Sequence, residues 1–197
     1  MNYLAHAYLS FEQPGILTGN IISDFVKGKK KFSYSARIQQ GISLHRFIDN
    51  FTDIHAATRR GKAYFRDRYG LYAGAFMDIV YDHFLAVDAG EFPGAELDGF
   101  SLRTYERLQK DEAIFPDRFR QLFYYMRTEN WLLNYRRRDR ICRSFGGLAR
   151  RALYIDDHRP ACTIFEERYE ELRSCYEDFF PGVKQFALLK LHELGSE

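Results

Sequence analysis

The 197-residue sequence has little proline, and it lacks any long apolar run. Its five prolines stand at positions 14, 93, 116, 160 and 181, which leaves long proline-free stretches in which helices can form. No stretch approaches the roughly 18 consecutive apolar residues that a membrane-spanning helix requires. The sequence therefore predicts neither a membrane protein nor a membrane partner.

The sequence also has few cysteines and a small net charge. The three cysteines cannot all pair, and we interpret them as reduced thiols of a cytoplasmic protein. The apolar segment that opens the sequence lacks a basic leading region, so we interpret it as part of the fold rather than as a signal peptide. A net charge of +2 is too small to indicate nucleic-acid binding by itself, and we expect no nucleic-acid partner.

What the sequence does contain is helical periodicity. Hydrophobic residues make up 46% and charged residues 28%, the composition of a folded globular chain. Apolar residues recur at helical spacings, whereas the alternation typical of strands is scarce. We predict one all-α domain over residues 1–197, with a loop at 87–99. The predicted helices cover about 3–10, 16–27, 32–51, 54–67, 69–87, 101–110, 116–126, 131–150, 160–176 and 182–193.

Three polar residues interrupt the predicted helix 69–87, which is the most apolar of these helices. Asp78 and Asp82 are four residues apart and share one helical face, and His83 follows directly. Buried carboxylates are costly, and two side by side repel each other. A divalent cation would remove both costs, although a single buried aspartate is commonly held by a helix N-terminus or an arginine instead. We favour a metal or catalytic role for the three residues together.

A second candidate lies on the predicted helix 32–51. His45 and Asp49 are four residues apart, and this carboxylate could hold the imidazole in its metal-binding tautomer. Gly41, one turn before His45, would leave open space beside the histidine. Asp53 follows where the helix should end, and a cap of the next helix is as good an interpretation of it as a catalytic role.

The first thirty residues add further polar groups. His6 lies among apolar residues, and its spacing fits a hydrogen-bonded core histidine at least as well as a metal ligand. Asn20, Asp24 and Lys27 would form one polar stripe on a short helix, which could equally be a solvated surface. Histidine and carboxylate together suit a hydrolytic Mn²⁺, Fe or Zn²⁺ centre and tolerate Mg²⁺. The sequence has no GxSxG, GxGxxG or phosphate-binding Gly-Lys motif.

Four blocks of the sequence, in this order, resemble the acyl carrier protein phosphodiesterase family, which is related to the HD-type metal phosphohydrolases. The blocks are MNYLAHAYLS, GNIISDFVKG, GISLHRFIDNFTD and MDIVYDHFLA, and the later segment ENWLLNYRRRDRICRSFGGLARR is similar as well. The resemblance implies an HD-like helical fold and a divalent metal, Mn²⁺ or Mg²⁺. It also implies hydrolysis of holo acyl carrier protein to the apo form and 4′-phosphopantetheine.

The resemblance also implies site residues. The metal ligands would be drawn from His6, Asp24, His45, Asp78, Asp82 and His83. Lys27 and Arg46 would place their positive charges beside the phosphoryl oxygens of the substrate. Asp49 or Asp53 would accept a proton from the attacking water, and Asp24 belongs to the catalytic group as well. Asn20 is a further position that matches the pattern of the family.

Residues 134–151 contain seven arginines and one aspartate, a local charge of +6. Such a segment is often a solvated helix face, but it would also attract a small acidic carrier protein. We predict that Arg137, Arg138, Arg140 and Arg143 bind this partner. Two other functions stay open at this point: an HD-type phosphohydrolase for a nucleotide or small phosphoester, and a helical adaptor without enzymatic activity.

Overall fold

Helices make up all the regular secondary structure in residues 1–196, the part of the chain that the computed structural model describes. The predicted all-α class is confirmed. Four short 3₁₀ turns cover Ser23–Phe25, Gly28–Ser33, Gly70–Tyr72 and Glu112–Ile114. The α-helices are α1 (Tyr3–Tyr8), α2 (Pro14–Ile22), α3 (Ala36–Ile54), α4 (Ala56–Tyr69), α5 (Ala73–Val87), α6 (Glu96–Lys110), α7 (Asp117–Thr128), α8 (Trp131–Asn134), α9 (Arg138–Arg151), α10 (Arg159–Glu167) and α11 (Tyr169–Gly195).

Helix α5 runs through the middle of the hydrophobic core. It packs against α1, α4, α9 and α11, which explains why nearly all of its side chains are apolar. Aromatic rings fill much of the space around it: the rings of Phe65 and Phe76 stack with their centroids 5.7 Å apart, and Tyr81 stacks on Phe179 at 4.5 Å. Within residues 1–196, no helix has the length and apolar character needed to cross a membrane.

Helix boundaries differ from the prediction where local turns interrupt the periodic pattern. The predicted helix 16–27 ends at Ile22, and a 3₁₀ turn over Ser23–Phe25 leads into extended backbone at Val26. The predicted helix 131–150 is divided into α8 and α9 by residues 135–137. The predicted loop at 87–99 is shorter than expected, because α6 already begins at Glu96.

The last two predicted helices also have different limits. The segment 160–176 is interrupted at Arg168, whose backbone has φ −111° and ψ 24° and therefore separates α10 from α11. Helix α11 then continues through Pro181 to Gly195. A proline inside a helix removes one backbone hydrogen bond. Here burial of Phe179, Phe180 and Val183 on both sides of Pro181 offsets that cost.

The prediction of three free thiols is wrong for two of the cysteines. Cys142 on α9 and Cys162 on α10 form a disulfide, because the packing of these two helices brings their Cα atoms to 5.2 Å. Cys175 remains a buried free thiol. The 20-residue separation of the two paired cysteines gave no indication of this proximity, since it arises from the packing of two separate helices.

Candidate metal centre

Two glycines allow helices α2 and α3 to pack with their backbones in contact. A Cβ atom added to Gly41 would lie 2.3 Å from the carbonyl oxygen of Ile16 and 2.9 Å from the Cα of Gly19. The prediction that Gly41 leaves open space beside His45 is therefore wrong, because the backbone of α2 occupies that space. This close approach brings Asn20 of α2 beside His45 of α3.

Two stacked histidines form the base of the site. The rings of His6 and His45 lie 4.0 Å apart between centroids, at an interplanar angle of 16°. The Nδ1–H of His6 donates to the side-chain oxygen of Asn20 at 2.8 Å. The Nδ1–H of His45 donates to the backbone oxygen of the same residue, also at 2.8 Å. Asn20 thus leaves Nε2 as the free nitrogen of both rings.

The orientation of Asn20 is itself determined by hydrogen bonds. Its amide nitrogen donates to the backbone oxygen of His6 at 2.9 Å and to the hydroxyl of Ser10 at 3.1 Å. The amide oxygen is therefore the atom that faces Nδ1 of His6. We expected Asp49 to select the tautomer of His45, but Asp49 contacts Nε2 instead, and Asn20 has the predicted role.

Carboxylates surround the two free nitrogens. Asp49 Oδ1 lies 3.2 Å from Nε2 of His6, and its Oδ2 lies 3.0 Å from Nε2 of His45. Asp24 Oδ1 lies 3.1 Å from the same nitrogen of His45. The amine of Met1 contacts Asp49 at 3.3 Å and Asp78 at 3.1 Å, so these two carboxylates share one neighbouring cation.

The electrostatic environment of the cluster gives the two histidines different pKa values. Burial favours the neutral form of His45, but Asp24 and Asp49 outweigh it and raise the pKa of His45 to about 9. Burial and the neighbouring charge of His45 lower the pKa of His6 to about 4. The hydrogen bond from His45 lowers the pKa of Asp24. At neutral pH His45 is therefore an imidazolium beside the ionised carboxylates of Asp24 and Asp49, whereas burial raises the pKa of Asp78.

The donor atoms fit a divalent cation. His6, His45 and Asp49 place their ligand atoms within 4.8 Å of one another. Nitrogen and oxygen acceptors that face each other at this range repel unless a proton or a metal ion lies between them. The proton on Nε2 of His45 has that role toward Asp24 and Asp49, whereas Nε2 of neutral His6 and Oδ1 of Asp49 face each other at 3.2 Å as two acceptors. A second group, Cys142, His158 and Cys162, is equally compact, but its two sulfurs are bonded to each other.

The structure places Asp82 at the N-terminus of α1. Its carboxylate accepts hydrogen bonds from the backbone N–H groups of Asn2 at 3.3 Å, Leu4 at 2.7 Å and Ala5 at 3.2 Å, and its side chain is completely buried. Burial raises the pKa of Asp82 to about 7, and the three backbone N–H groups oppose this rise because they stabilise the ionised form. Asp82 thus supports the helix that carries His6, whereas its neighbour Asp78 faces the cluster.

His83 lies outside the cluster, on another side of α5. Its Nδ1 is 2.7 Å from the backbone oxygen of Tyr135, and its Nε2 is 2.8 Å from the hydroxyl of Tyr169. Burial lowers the pKa of His83 to about 4. Both ring nitrogens have hydrogen-bond partners within the protein, so the structure does not bring His83 together with the other predicted ligands.

Besides Asp24, three predicted catalytic residues are exposed. Lys27 follows the 3₁₀ turn after α2 and does not continue a polar stripe with Asn20 and Asp24, because the helix ends before it. Arg46 lies on the solvent side of α3. Asp53 forms an ion pair with Lys62 at 2.6 Å, and its side chain is 70% exposed. The cap that precedes α4 is His55 rather than Asp53.

The four arginines predicted to bind a partner divide into two pairs. Arg137 forms an ion pair with Asp139 at 3.0 Å, while Arg138 contacts Glu166 at 3.5 Å and lies 3.4 Å above the ring of Tyr169. Arg140 and Arg143 instead line a cavity of about 320 Å³.

The cavity also contains residues that sequence reasoning missed. Tyr3, Trp131, Arg150 and Arg151 line it, and Tyr3 and Arg151 also line a neighbouring cavity that reaches Asp24 and Asp78. The arginines at 140, 143, 150 and 151 recur at helical spacings on α9, and this amphipathic pattern was the available signal.

The fold and the cluster define an all-helical protein with a histidine–carboxylate group that is compatible with a divalent metal ion. A family model described as acyl carrier protein phosphodiesterase matches residues 1–183. The chain belongs to the acyl carrier protein phosphodiesterase family, a family of enzymes.

Curated relatives are similar along nearly their whole length. A protein of Klebsiella pneumoniae (strain 342) named acyl carrier protein phosphodiesterase is 31% identical over 188 residues, which cover 95% of this chain and 97% of the relative. Relatives with the same name from Serratia proteamaculans (strain 568) and Escherichia coli O6:H1 are 31% and 30% identical. The latter match covers 96% of this chain and 99% of the relative. No solved structure matches the chain.

Proposed function

We propose that the protein is a Mn²⁺- or Mg²⁺-dependent phosphodiesterase that hydrolyses holo acyl carrier protein to the apo form and 4′-phosphopantetheine. The observation that carries this proposal is the arrangement of Asn20, which directs Nε2 of both His6 and His45 toward Asp49. His6, His45 and Asp49 would hold the ion, so that Asp49 becomes a ligand rather than the base that the resemblance implied, and Asp24 and Asp78 would lie beside it. A bound divalent ion neutralises phosphoryl oxygens and lowers the pKa of water.

The remaining roles follow from exposure and charge. Asp24 is 71% exposed and contacts His45, so it can accept a proton from water at the mouth of the cluster. Lys27 and Arg46 have no ion-pair partner among residues 1–196, and we retain them as candidates for contact with the phosphoryl oxygens. Asp53 is the weaker candidate for the base, because Lys62 already neutralises it.

The partner and the location belong to the same proposal. An enzyme that acts on a carrier protein must share its compartment, and we place both in the cytoplasm. The exposed arginines of the segment 134–151 would contact acidic residues of the carrier protein. We also retain a single domain over residues 1–197 and a relationship to the HD-type fold as parts of this proposal.

The decisive experiment incubates the purified protein and holo acyl carrier protein with Mn²⁺ or Mg²⁺ and follows the mass of the carrier protein. We expect a loss of the phosphopantetheine mass that chelation stops and added metal restores. Parallel reactions contain free nucleotides in place of holo acyl carrier protein. Turnover of nucleotides with no change in holo carrier protein would show the alternative phosphohydrolase, and full activity after exhaustive chelation would disprove metal dependence.

Histidine variants test the ligand assignment. We expect His45→Gln to lose both bound metal and turnover. His83→Gln removes a buried histidine outside the cluster, and we expect it to retain the metal stoichiometry of the wild type. His192→Gln changes an exposed histidine on α11 and controls for unspecific effects. Equal metal loss in His45→Gln and His83→Gln would contradict the assignment.

A further inference from the structure

Two cavities meet beside the candidate metal centre. The first, with a volume of about 520 Å³, is lined by Asp24 and Asp78. The second is the cavity of about 320 Å³ along α9, which we call the arginine cavity and which Arg140, Arg143, Trp131 and Gly147 line. Asn2, Tyr3, Ile79 and Arg151 line both. A ligand bound at the cluster can therefore extend into the arginine cavity without leaving the surface of the protein.

The arginines of this cavity have few partners within the chain. Arg143, Arg150 and Arg151 form no ion pair within residues 1–196. The Nε atom of Arg140 is buried and has no hydrogen-bond partner in the same range; its nearest carboxylate is that of Asp139, at 3.7 Å, which is too far for a hydrogen bond. Leaving a buried donor unpaired costs free energy that an acceptor on a ligand would recover. The wall of α9 thus presents guanidinium N–H groups for an incoming acceptor.

Aromatic side chains also line the arginine cavity. The rings of Tyr3 and Trp131 lie 6.4 Å apart between centroids, and Tyr125 and Tyr135 line the same space. Glu129 is the one acidic residue in the lining, and it accepts a hydrogen bond from Nε1 of Trp131. The guanidinium groups of α9 disfavour a cation, and together with the aromatic side chains they suit a thin chain with carbonyl oxygens along it.

We propose that the arginine cavity binds the pantetheine arm of the substrate, with its amide oxygens facing α9 while the phosphate stays at the cluster. This inference rests on the proposed function and identifies the part of the substrate that the enzyme binds in addition to the phosphate. Pantetheine fits because it is a narrow chain with two amide groups, tethered to an anionic phosphate. A volume of about 320 Å³ lies within the usual range for small-ligand pockets.

A substitution at Gly147 can fill the cavity without disturbing the backbone. A Cβ atom at this position would meet only Nη2 of Arg150, at 3.7 Å, which is an ordinary contact. Gly147→Leu also replaces glycine by a stronger helix former within α9. The matched control is Gly182→Leu on α11, where a Cβ atom would meet Phe51 at 3.6 Å beside a different groove.

The first measurement is direct binding of free pantetheine, which lacks the phosphate, by calorimetry. We expect weak binding to the wild type and to Gly182→Leu, and at least about tenfold weaker binding to Gly147→Leu. This readout needs neither metal nor turnover. If the wild type binds pantetheine but leaves holo carrier protein intact, the proposed function fails while the cavity assignment stands.

The second measurement compares kcat/KM for holo carrier protein with that for bis(4-nitrophenyl) phosphate, a diester without the arm. We expect the ratio of the two values to fall at least about tenfold in Gly147→Leu and to stay unchanged in Gly182→Leu. Circular dichroism confirms that both variants fold. If Gly147→Leu binds pantetheine and cleaves holo carrier protein as the wild type does, the inference is overturned and the proposed function remains.

Discussion

At the scale of single residues, the carboxylates of Asp82 and Asp49 are stabilised in two different ways. Asp82 accepts three backbone N–H groups at the start of α1, whereas Asp49 faces two imidazoles and the amine of Met1. The first arrangement stabilises the position of a helix. The second leaves a site where a metal ion can replace a proton. Sequence spacing alone grouped Asp82 with Asp78 and His83 as metal or catalytic residues and paired Asp49 with His45.

Substitution of Asp82 should act on stability. Asp82→Asn would turn an amide N–H toward backbone donors, and we expect a loss of about 3 kcal/mol of unfolding free energy. Chemical denaturation measures this change, with the exposed Asp67→Asn as the control. We further expect the folded fraction of Asp82→Asn to bind metal with the wild-type stoichiometry. Loss of metal at unchanged stability would show that Asp82 is a ligand after all.

The pKa of His45 predicts how the stability of the metal-free protein depends on pH. Its folded pKa of about 9 lies above the ordinary value of 6.5, so the imidazolium stabilises the fold fully below pH 6.5. That contribution, on the order of 3 kcal/mol, disappears as the pH rises from about 6.5 to 9. Denaturation in the presence of chelator measures it as the difference between the wild type and His45→Gln. A difference that stays constant across this range would contradict the pKa assignment.

At the scale of helices, the site depends on the contact between α2 and α3. Gly19 and Gly41 face each other there, and the contact places the backbone oxygen and the side chain of Asn20 against two histidines from different helices. Neither histidine could be assigned a tautomer from its own helix. The pair of glycines is therefore as important to the site as the ligands.

Separation of these two helices should reduce both stability and metal binding. In Gly41→Ala the new methyl group would meet backbone atoms of α2, which cannot move aside as a side chain can. We expect a loss of about 3 kcal/mol in unfolding free energy together with weaker metal binding. Gly182→Ala, whose methyl group meets only Phe51 at an ordinary distance, should be neutral or slightly stabilising. Unchanged metal affinity in Gly41→Ala would show that metal binding does not depend on the contact between α2 and α3.

At the scale of the whole molecule, positive charge is concentrated in one segment. Residues 134–151 carry +6, so the rest of the chain carries −4 and the net charge is only +2. The ion pairs of Arg136 and Arg137 with Asp98 and Asp139 lie between half-exposed side chains and contribute little to stability. These arginines can exchange their partners for acidic residues of a carrier protein at small cost.

Salt and charge reversal should therefore act selectively on the protein substrate. Raising the ionic strength from about 0.1 M to 1 M shortens the screening length from about 10 Å to 3 Å, and we expect KM for holo carrier protein to rise. KM for a small diester should change little. Arg137→Glu should raise KM for holo carrier protein in the same way at low salt, while Arg66→Glu on α4 serves as the charge-matched control. Equal effects of Arg137→Glu and Arg66→Glu would show that net charge, not this surface, attracts the carrier protein.

The sequence by itself determined the helical class, most helix positions and the pairing of His45 with Asp49, because these depend on spacing within one helix. Only the tertiary structure decided that Asn20 orients both histidines and that Asp82 and His83 bind backbone and tyrosine groups rather than the cluster. It also decided that Cys142 meets Cys162 and that four arginines of α9 line a cavity beside the site. Each of these features joins groups from separate helices, and helical periodicity carries no information about which helices meet.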